Sequence, residues 1–207
     1  EKVVAQQLVS HIDRHSLAAK LQSGFKRHHS TETALLKVTN DILCENDKGM
    51  VTALVLLDLS AAFDTIDHNI LLSRLENEVG VSGIALSWFR SYLTGRSQTV
   101  SCGSLTSASR AVTCGVPQGS VLGPLLFCIY VRPLETIIQK HSISYHFYAD
   151  DTQLYLSFDP NDALAAKDRL NSCLADIRSW MSANFLKLNA DKTELLVIGN
   201  PKRVAKV

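Results

Sequence analysis

The chain has 207 residues, of which 46% are hydrophobic and 20% are charged, so its composition is globular and excludes a disordered protein. A formal net charge of +1 excludes a general attraction to nucleic acid or to an anionic membrane, so any such partner has to be bound by a local patch. No apolar run reaches the roughly 18–20 residues that cross a bilayer, and there is no signal-peptide pattern. Five dispersed cysteines without a C-x-x-C pair are typical of a reduced protein. We therefore expect an intracellular protein that is neither secreted nor bound to a membrane.

The first fifty residues are predicted to form short helices around a basic, polar loop, SGFKRHHSTET, with Ser30 or Thr31 as the N-cap of the helix that follows. No linker rich in Pro, Gly and Ser divides the chain, so we expect a single domain over residues 1–207. Because the chain begins with Glu1 and ends in a basic tail shortly after the apolar run LLVIG, we also expect it to be part of a longer protein.

Residues 51–60, VTALVLLDLS, are apolar without alternation, which predicts a central strand covered on both faces. The spacing of apolar residues in the following segments predicts two helices, a two-stranded ribbon and a third helix with Gly123 and Pro124 in its first turn. These elements cover residues 64–79, 84–93, 97–115 and 121–138.

The stretch YHFYADDTQLYL is predicted to be a hairpin, within residues 143–158, whose alternating arms are joined at Asp150 and Asp151. A helix over residues 161–184 and a closing strand within LKLNADKTELLVIG follow. This mixture of hairpin strands and returning helices predicts an α+β fold with helices packed on one face of a mainly antiparallel sheet.

Two acids in a hairpin turn are usually solvated and inert, but Asp58 changes this interpretation. It is the only charge within VTALVLLDLS and lies at the C-terminal end of the predicted strand, where a buried and unpaired carboxylate would be unfavourable. If Asp58, Asp150 and Asp151 meet in space, they form a set of hard oxygen ligands that suits Mg²⁺. Two such ions about 4 Å apart promote in-line displacement at phosphorus.

Three further residues have both a structural and a functional interpretation. Phe63 is either a core aromatic or a ring under the sugar of a nucleotide, where its bulk excludes a 2′-hydroxyl and favours deoxynucleotides. The loop GVPQGS is either a turn before a helix or a surface for a nucleotide or template base. The second interpretation rests on Gln118, which both donates and accepts hydrogen bonds, and on Gly119, which permits close backbone approach.

Four motifs, LVLLDLSAAFDTIDHNILLSRL, GVPQGSVLGPLLF, YADD and LKLNADKTELLVIG, in this order strongly resemble the reverse transcriptase of non-LTR, LINE-type retrotransposons, of the CR1/L2 type in particular. The segment LQSGFKRHHSTETALLKVTNDIL is similar to the fingers region of that family, so the resemblance spans nearly the whole chain. It implies the fingers and palm of a right-hand polymerase, with the thumb absent. The fingers segment would cover about residues 1–50, and the palm with interleaved fingers elements about residues 51–207.

The resemblance also implies catalytic roles. Asp58 matches the first catalytic and metal-binding acid of the family, with the backbone of Leu59 beside it. Asp150 and Asp151 match the acid pair that binds metal on the palm hairpin. Lys192 matches a lysine that protonates the pyrophosphate leaving group, and a solvated lysine in a turn is an equal alternative.

Contacts with the nucleotide follow from the same resemblance. Phe63 falls at the position of the sugar gate, and Gln118 and Gly119 match the motif that supports the incoming nucleotide and the template. Lys26 and Arg27 lie in the fingers segment, where they either meet triphosphate or template phosphates or remain exposed and flexible.

The implied activity is that of an RNA-directed DNA polymerase, which transfers a nucleotide from a dNTP to a primer 3′-hydroxyl with two Mg²⁺ ions, or Mn²⁺ as their substitute. The implied partners are an RNA template, a DNA primer or target and dNTP. Endonuclease and thumb regions would belong to the full-length protein, which would be nuclear with a cytoplasmic RNA-bound phase. Another palm-type polymerase, such as an RNA-dependent RNA polymerase, and an inert remnant that only binds RNA are the alternatives.

Overall fold

The computed structural model describes all 207 residues, which divide into two compact units. The first unit comprises residues 1–18 and 61–130, and the second comprises residues 19–60 and 131–207. The segment 1–50 is thus shared between the units, and the assignment of residues to fingers and palm stays a prediction.

The helices and strands follow the predicted order along the chain. The helices are α1 (Lys2–Arg14), α2 (Thr31–Asp47), α3 (His68–Asn77), α4 (Gly83–Leu93), α5 (Gly123–Val131), α6 (Leu134–Lys140), α7 (Ala163–Ala183) and α8 (Pro201–Val204). The strands are β1 (Val51–Leu57), β2 (Leu59–Ser60), β3 (Arg96–Gln98), β4 (Ser101–Cys102), β5 (Leu105–Thr106), β6 (Arg110–Val112), β7 (Ser144–Tyr148), β8 (Asp151–Phe158), β9 (Lys187–Leu188) and β10 (Glu194–Ile198). None of the helices has both the length and the apolar character that crossing a membrane requires.

The second unit contains a four-stranded sheet in the order β10-β1-β8-β7, in which every neighbouring pair is antiparallel. The apolar run over residues 51–60 therefore does contain a central strand, and β1 ends at Leu57, just before Asp58. The hairpin of β7 and β8 is also confirmed, with Ala149 and Asp150 in its turn. The α+β fold with a mainly antiparallel sheet is confirmed.

The prediction that helices cover only one face of the sheet is wrong. Tyr155 of β8 donates a hydrogen bond of 2.6 Å from its hydroxyl to Asp41 of α2. Tyr145 of β7 lies opposite Leu154 in the sheet, and its hydroxyl bonds to Glu135 of α6. Because consecutive strand residues point to opposite faces, Tyr155 and Leu154 face opposite ways, and so α2 and α6 lie on different faces. This arrangement explains why β1 is apolar on both sides.

The helix predicted over residues 121–138 is divided in two at Pro133. α5 ends at Val131, and α6 begins at Leu134 with Pro133 as its N-cap. A proline has no N–H for a helical hydrogen bond and its ring clashes with the preceding turn, so the chain restarts as a second helix. Gly123 and Pro124 do lie in the first turn of α5, as predicted.

In the first unit, residues 63–68 are bonded to the loop that precedes α5. The amide of Gly115 donates to the carbonyl oxygen of Ile66 at 2.8 Å, and the amide of Val116 donates to that of Phe63 at 2.9 Å. The His68 ring donates from Nε2 to the carbonyl oxygen of Gly115 at 2.8 Å. These bonds fix the loop GVPQGS against the segment that carries Phe63.

Candidate active site

Asp58, Asp150 and Asp151 are brought to the same end of the four-stranded sheet. Leu57 of β1 pairs with Thr152 of β8, so the next residues outward, Asp58 and Asp151, occupy facing positions in the same antiparallel register. Facing residues of antiparallel strands have Cα atoms about 4.5–5.5 Å apart. Asp150 precedes Asp151 in the turn between β7 and β8. The register therefore assembles the cluster that the sequence only hints at.

Asp58 is held by the turn that follows β9. The amide of Asn189 donates to the carbonyl oxygen of Asp58 at 2.9 Å, and its side-chain Nδ2 donates to Oδ2 of Asp58 at 3.3 Å. Lys192 Nζ lies 3.4 Å from the same Oδ2, which places this lysine beside the acids. Leu59, the next residue in the chain, pairs with Leu188 of β9 and is buried. Both the carboxylate and the backbone at this position are thus constrained by the segment 187–192.

The electrostatics of the cluster are those of crowded carboxylates. The loss of surrounding water raises the pKa of Asp151 above its ordinary value, and the negative charges of Asp150 and Asp58 raise it further. Lys192 acts in the opposite direction and lowers this pKa. A single ammonium group therefore faces three acids, and the cluster has a surplus of negative charge.

The donor set fits a divalent cation that also takes ligands from a substrate. No group of three or more His, Cys, Asp or Glu side chains is placed so that it could hold a metal ion, so the acids do not form a cage of protein ligands. Mg²⁺ does not need such a cage, because it keeps several waters and binds through one or two carboxylates together with substrate phosphates. Carboxylate oxygens and a surplus of negative charge are what such an ion requires.

Replacing Asp151 with asparagine is expected to stabilise the metal-free chain near neutral pH. Because the pKa of Asp151 is raised in the folded chain, the folded state binds more protons than the unfolded state between the ordinary value of 3.8 and the raised value. Stability is therefore lost as the pH rises through this window, and the loss is complete above it. Thermal unfolding should show a higher Tm for Asp151→Asn at pH 7 and a difference that closes as the pH falls below about 4.

The control for this pH dependence is Asp168→Asn, which changes an exposed carboxylate on α7. It removes the same charge from an exposed position, so the pH dependence of its Tm is the baseline for comparison. A Tm difference for Asp151→Asn that does not close as the pH falls would contradict the raised pKa.

Phe63 and Gln118 lie in the first unit and are joined through one loop. The ring of Phe63 is half-buried and packs on Phe127, with ring centroids 4.8 Å apart. Gln118 Nε2 donates to Oδ1 of Asp64 at 3.1 Å, so the residue after Phe63 orients this amide. Gly119 is exposed, has a φ of +75° and would meet no atom within 4 Å of an added Cβ. The loop therefore has open space at Gly119 and a fixed amide next to it.

Lys26 and Arg27 lie in the loop before α2, in the second unit. Lys26 is half-buried and Arg27 is exposed. No hydrogen bond or ion pair links either side chain to the three acids, so their contact with phosphate stays a prediction.

Residues 1–204 match the protein family described as reverse transcriptase (RNA-dependent DNA polymerase). The chain belongs to the reverse transcriptase family. It is 35% identical over 130 residues to the probable RNA-directed DNA polymerase from transposon X-element of Drosophila melanogaster, a match that covers 63% of this chain and 14% of that protein. It is 28% identical over 207 residues to the RNA-directed DNA polymerase from mobile element jockey of the same fly, which covers 97% of this chain and 22% of that protein.

These relatives are polymerases of non-LTR retrotransposons, and the resemblance to a LINE-type reverse transcriptase domain is confirmed. The domain spans less than a quarter of the length of either relative. The family uses divalent metal ions, in agreement with the donor set of the three acids.

Telomerase from Candida tropicalis has the same fold. An apo structure truncated from its C-terminal domain has a TM-score of 0.70 at 15% identity and covers 96% of this reverse transcriptase domain and 40% of the telomerase chain. Telomerase from Candida albicans, solved with a fragment of telomeric RNA, has a TM-score of 0.67 at 13% identity and covers 94% of this chain and 33% of that chain. At such low identity the likeness shows a shared polymerase fold, with mixed helices and antiparallel strands.

Several residues that shape the site were not singled out from the sequence. Asn189 is inside the motif LKLNADKTE, but nothing in the motif indicates that its side chain reaches Asp58. Gly115 has a φ of +82°, and a Cβ there would lie 2.9 Å from the carbonyl oxygen of Asp64, which only a glycine avoids. Gln22 contacts the turn of the acid hairpin from a position more than a hundred residues earlier in the chain.

Proposed function

We propose that the chain is the catalytic domain of an RNA-directed DNA polymerase, which joins a dNTP to a primer 3′-hydroxyl on an RNA template. The observation that carries this proposal is the convergence of Asp58 and Asp151 at facing positions, with Asp150 adjacent, in a reverse transcriptase domain. In nucleotidyl transfer the protein itself forms no covalent bond with the substrate, so the rate depends on positioning and charge stabilisation. Three carboxylates at the ends of paired strands supply both.

The three acids, with the backbone of Leu59, are proposed to hold two Mg²⁺ ions, for which Mn²⁺ can substitute. When bound, the ions supply activation of the primer hydroxyl and neutralisation of the phosphates. Lys192 is proposed to give a proton to the leaving pyrophosphate. Its ammonium group lies beside Asp58 and its side chain is 67% exposed, which leaves it accessible to a bound triphosphate.

Phe63 is proposed to be the sugar gate, and Gln118 and Gly119 to support the incoming nucleotide and template base. The bond from Gln118 to Asp64 leaves the amide oxygen available, and the open space at Gly119 allows a ligand to approach the backbone. Lys26 and Arg27 are proposed to contact triphosphate or template phosphates.

A DNA primer or target is proposed as the second nucleic-acid partner. The full-length protein is proposed to add endonuclease and thumb regions. It is proposed to act in the nucleus, with an RNA-bound phase in the cytoplasm.

The first unit has a surface that suits RNA. Residues 79–130 contain no Asp or Glu, although 20 acids in 207 residues would put about five there, and their only basic side chains are Arg90, Arg96 and Arg110. The rings of Trp88 and Tyr92 stack at 5.4 Å with an interplanar angle of 8°, and the Arg96 guanidinium lies 5.6 Å from the Tyr92 ring. Stacked aromatics beside arginines are typical of surfaces that bind single-stranded nucleic acid.

Replacing Arg96 and Arg110 together with alanine should weaken binding of single-stranded RNA and make it less dependent on salt. Both side chains are exposed on the ribbon of β3 and β6. Each lost phosphate contact should reduce the slope of log K against log salt by about 0.7, because fewer counterions are released. Fluorescence anisotropy with a labelled RNA measures both quantities. The double variant Lys167→Ala and Lys202→Ala removes the same charge from exposed positions of the second unit, and an equal loss in both double variants would contradict this surface.

The activity is tested by primer extension on an RNA template with Mg²⁺, comparing dNTPs with rNTPs. The proposal expects extension with dNTPs, little with rNTPs and none after chelation of the metal. Extension that prefers rNTPs would instead identify an RNA-dependent RNA polymerase. RNA binding without any extension would identify an inert RNA-binding remnant.

A further inference from the structure

Residues 21–24 lie along the outer edge of the acid hairpin. Gln22 forms a parallel bridge with Phe147 of β7. The amide of Ser23 donates to the carbonyl oxygen of Phe147 at 2.9 Å, and the amide of Phe147 donates to that of Leu21 at 2.8 Å. The segment therefore acts as a short additional strand beside β7 and ends at the turn that carries the acids.

The side chain of Gln22 closes around that turn. It is buried, with 6% of its surface exposed. Its Oε1 accepts from the amides of Gly24 at 2.8 Å and Ala149 at 3.1 Å, and its Nε2 donates to the carbonyl oxygen of Ala149 at 3.4 Å. A buried amide is unfavourable unless it is hydrogen-bonded, and here both ends of the amide are bonded to the backbone of Ala149. Gln22 thus satisfies the N–H and the C=O of the residue that immediately precedes Asp150.

Ala149 is a residue whose conformation needs such support. Its φ is +58°, in the left-handed region that alanine seldom adopts. Gly24 approaches the same turn so closely that a Cβ added to it would lie 2.2 Å from the amide nitrogen of Ala149. Contacts from Gln22 and Gly24 therefore hold an uncommon backbone conformation directly before Asp150 and Asp151.

We propose that Gln22 is a positioning residue, which fixes Ala149 and thereby keeps Asp150 and Asp151 beside Asp58 for the binding of a divalent cation. The proposal rests on the proposed function, since it concerns the same three acids. Groups that orient metal ligands typically change metal affinity by about 10–100-fold when they are removed. Gln22 acts on the ligands through the backbone of Ala149 and touches neither the metal nor the substrate.

The test is a Mn²⁺ titration followed by electron paramagnetic resonance on the complete chain. Gln22→Met keeps the length of the side chain and removes both polar atoms, and it should weaken Mn²⁺ binding by about 10–100-fold. Ser23→Ala is the matched control, because Ser23 is 3% exposed and bonds to His146 at 2.9 Å, within the sheet but away from the turn. Ser23→Ala should lose stability and keep its Mn²⁺ affinity. Equal affinities in Gln22→Met and the unmodified chain would overturn the proposal.

Amide hydrogen exchange gives a second readout that does not depend on metal or activity. Exchange at Ala149 and Asp150 should be faster in Gln22→Met and in Gly24→Ala than in Ser23→Ala at matched temperature below unfolding. Unchanged exchange at these amides would show that Gln22 does not hold the turn, and would overturn the proposal even if Gln22→Met were less stable. If the unmodified chain binds no Mn²⁺, the proposed function fails and the metal-positioning role fails with it, whereas the exchange data still report whether the turn is held.

Discussion

Replacing Asp58 or Asp150 with asparagine should lower primer extension on an RNA template by about a hundred- to a thousand-fold or more. Asparagine keeps the size of the side chain but loses the charge, so the cluster no longer attracts a divalent cation with the same strength. Loss of either acid should reduce activity in the same way, because Asp58 and Asp150 both contribute to the negative charge around Asp151.

The measurement is single-nucleotide extension under saturating dNTP, with Asp168→Asn as the control for removal of an exposed carboxylate. The control should keep its rate. Substantial activity in Asp58→Asn or Asp150→Asn would contradict the assignment of these residues as catalytic acids.

Phe63→Val should increase incorporation of ribonucleotides relative to deoxynucleotides by about 10–200-fold. The physical reason is steric, because a bulky group that crowds one extra atom of a substrate discriminates by about 1–3 kcal/mol. Competition between a dNTP and the matching rNTP in primer extension measures the ratio directly. The proposal requires that the rate with dNTP fall much less than the preference for dNTP over rNTP.

The control for Phe63→Val has to separate the gate from the loss of packing. Phe63 packs against Phe127, so the substitution should also destabilise the first unit. Phe89 on α4 is buried in the same unit, and Phe89→Val should lose stability without changing the choice of sugar. If Phe63→Val discriminates against ribonucleotides as strongly as the unmodified chain, the gate interpretation is wrong.

Much of the fold could be predicted because its signals are local. The apolar run before Asp58 indicates a central strand, and the alternation on either side of Asp150 and Asp151 indicates a hairpin. Ser30 caps α2 and, with Thr33, completes a capping box that the sequence presents within four residues. Pro133 is also a local signal. The prediction of a single helix across it gave too little weight to the interruption that a proline causes.

The parts that could not be predicted depend on contacts between distant residues. The bonds from Gln22 to Ala149 and from Asn189 to Asp58 join residues 127 and 131 positions apart. The residues around the glutamine in LQSGF and the asparagine in LNADK do not indicate which distant residues these side chains contact. The register of β1 and β8 is similarly a property of the folded sheet. The sequence could place acids at two element ends, and only pairing in the sheet makes them face each other.

Asp58, Asp150 and Asp151 are proposed to form, together, a binding site for a divalent cation. Thermal unfolding of the chain during a Mg²⁺ titration tests it most directly, with the double variant Asp58→Asn and Asp150→Asn measured alongside. A ligand that binds only the folded state stabilises it by about 2.7 kcal/mol at a hundred times its Kd, so the Tm of the unmodified chain should rise by about 5–10 °C. The double variant should show no rise above its own metal-free Tm, whereas an equal rise in both proteins would contradict the claim.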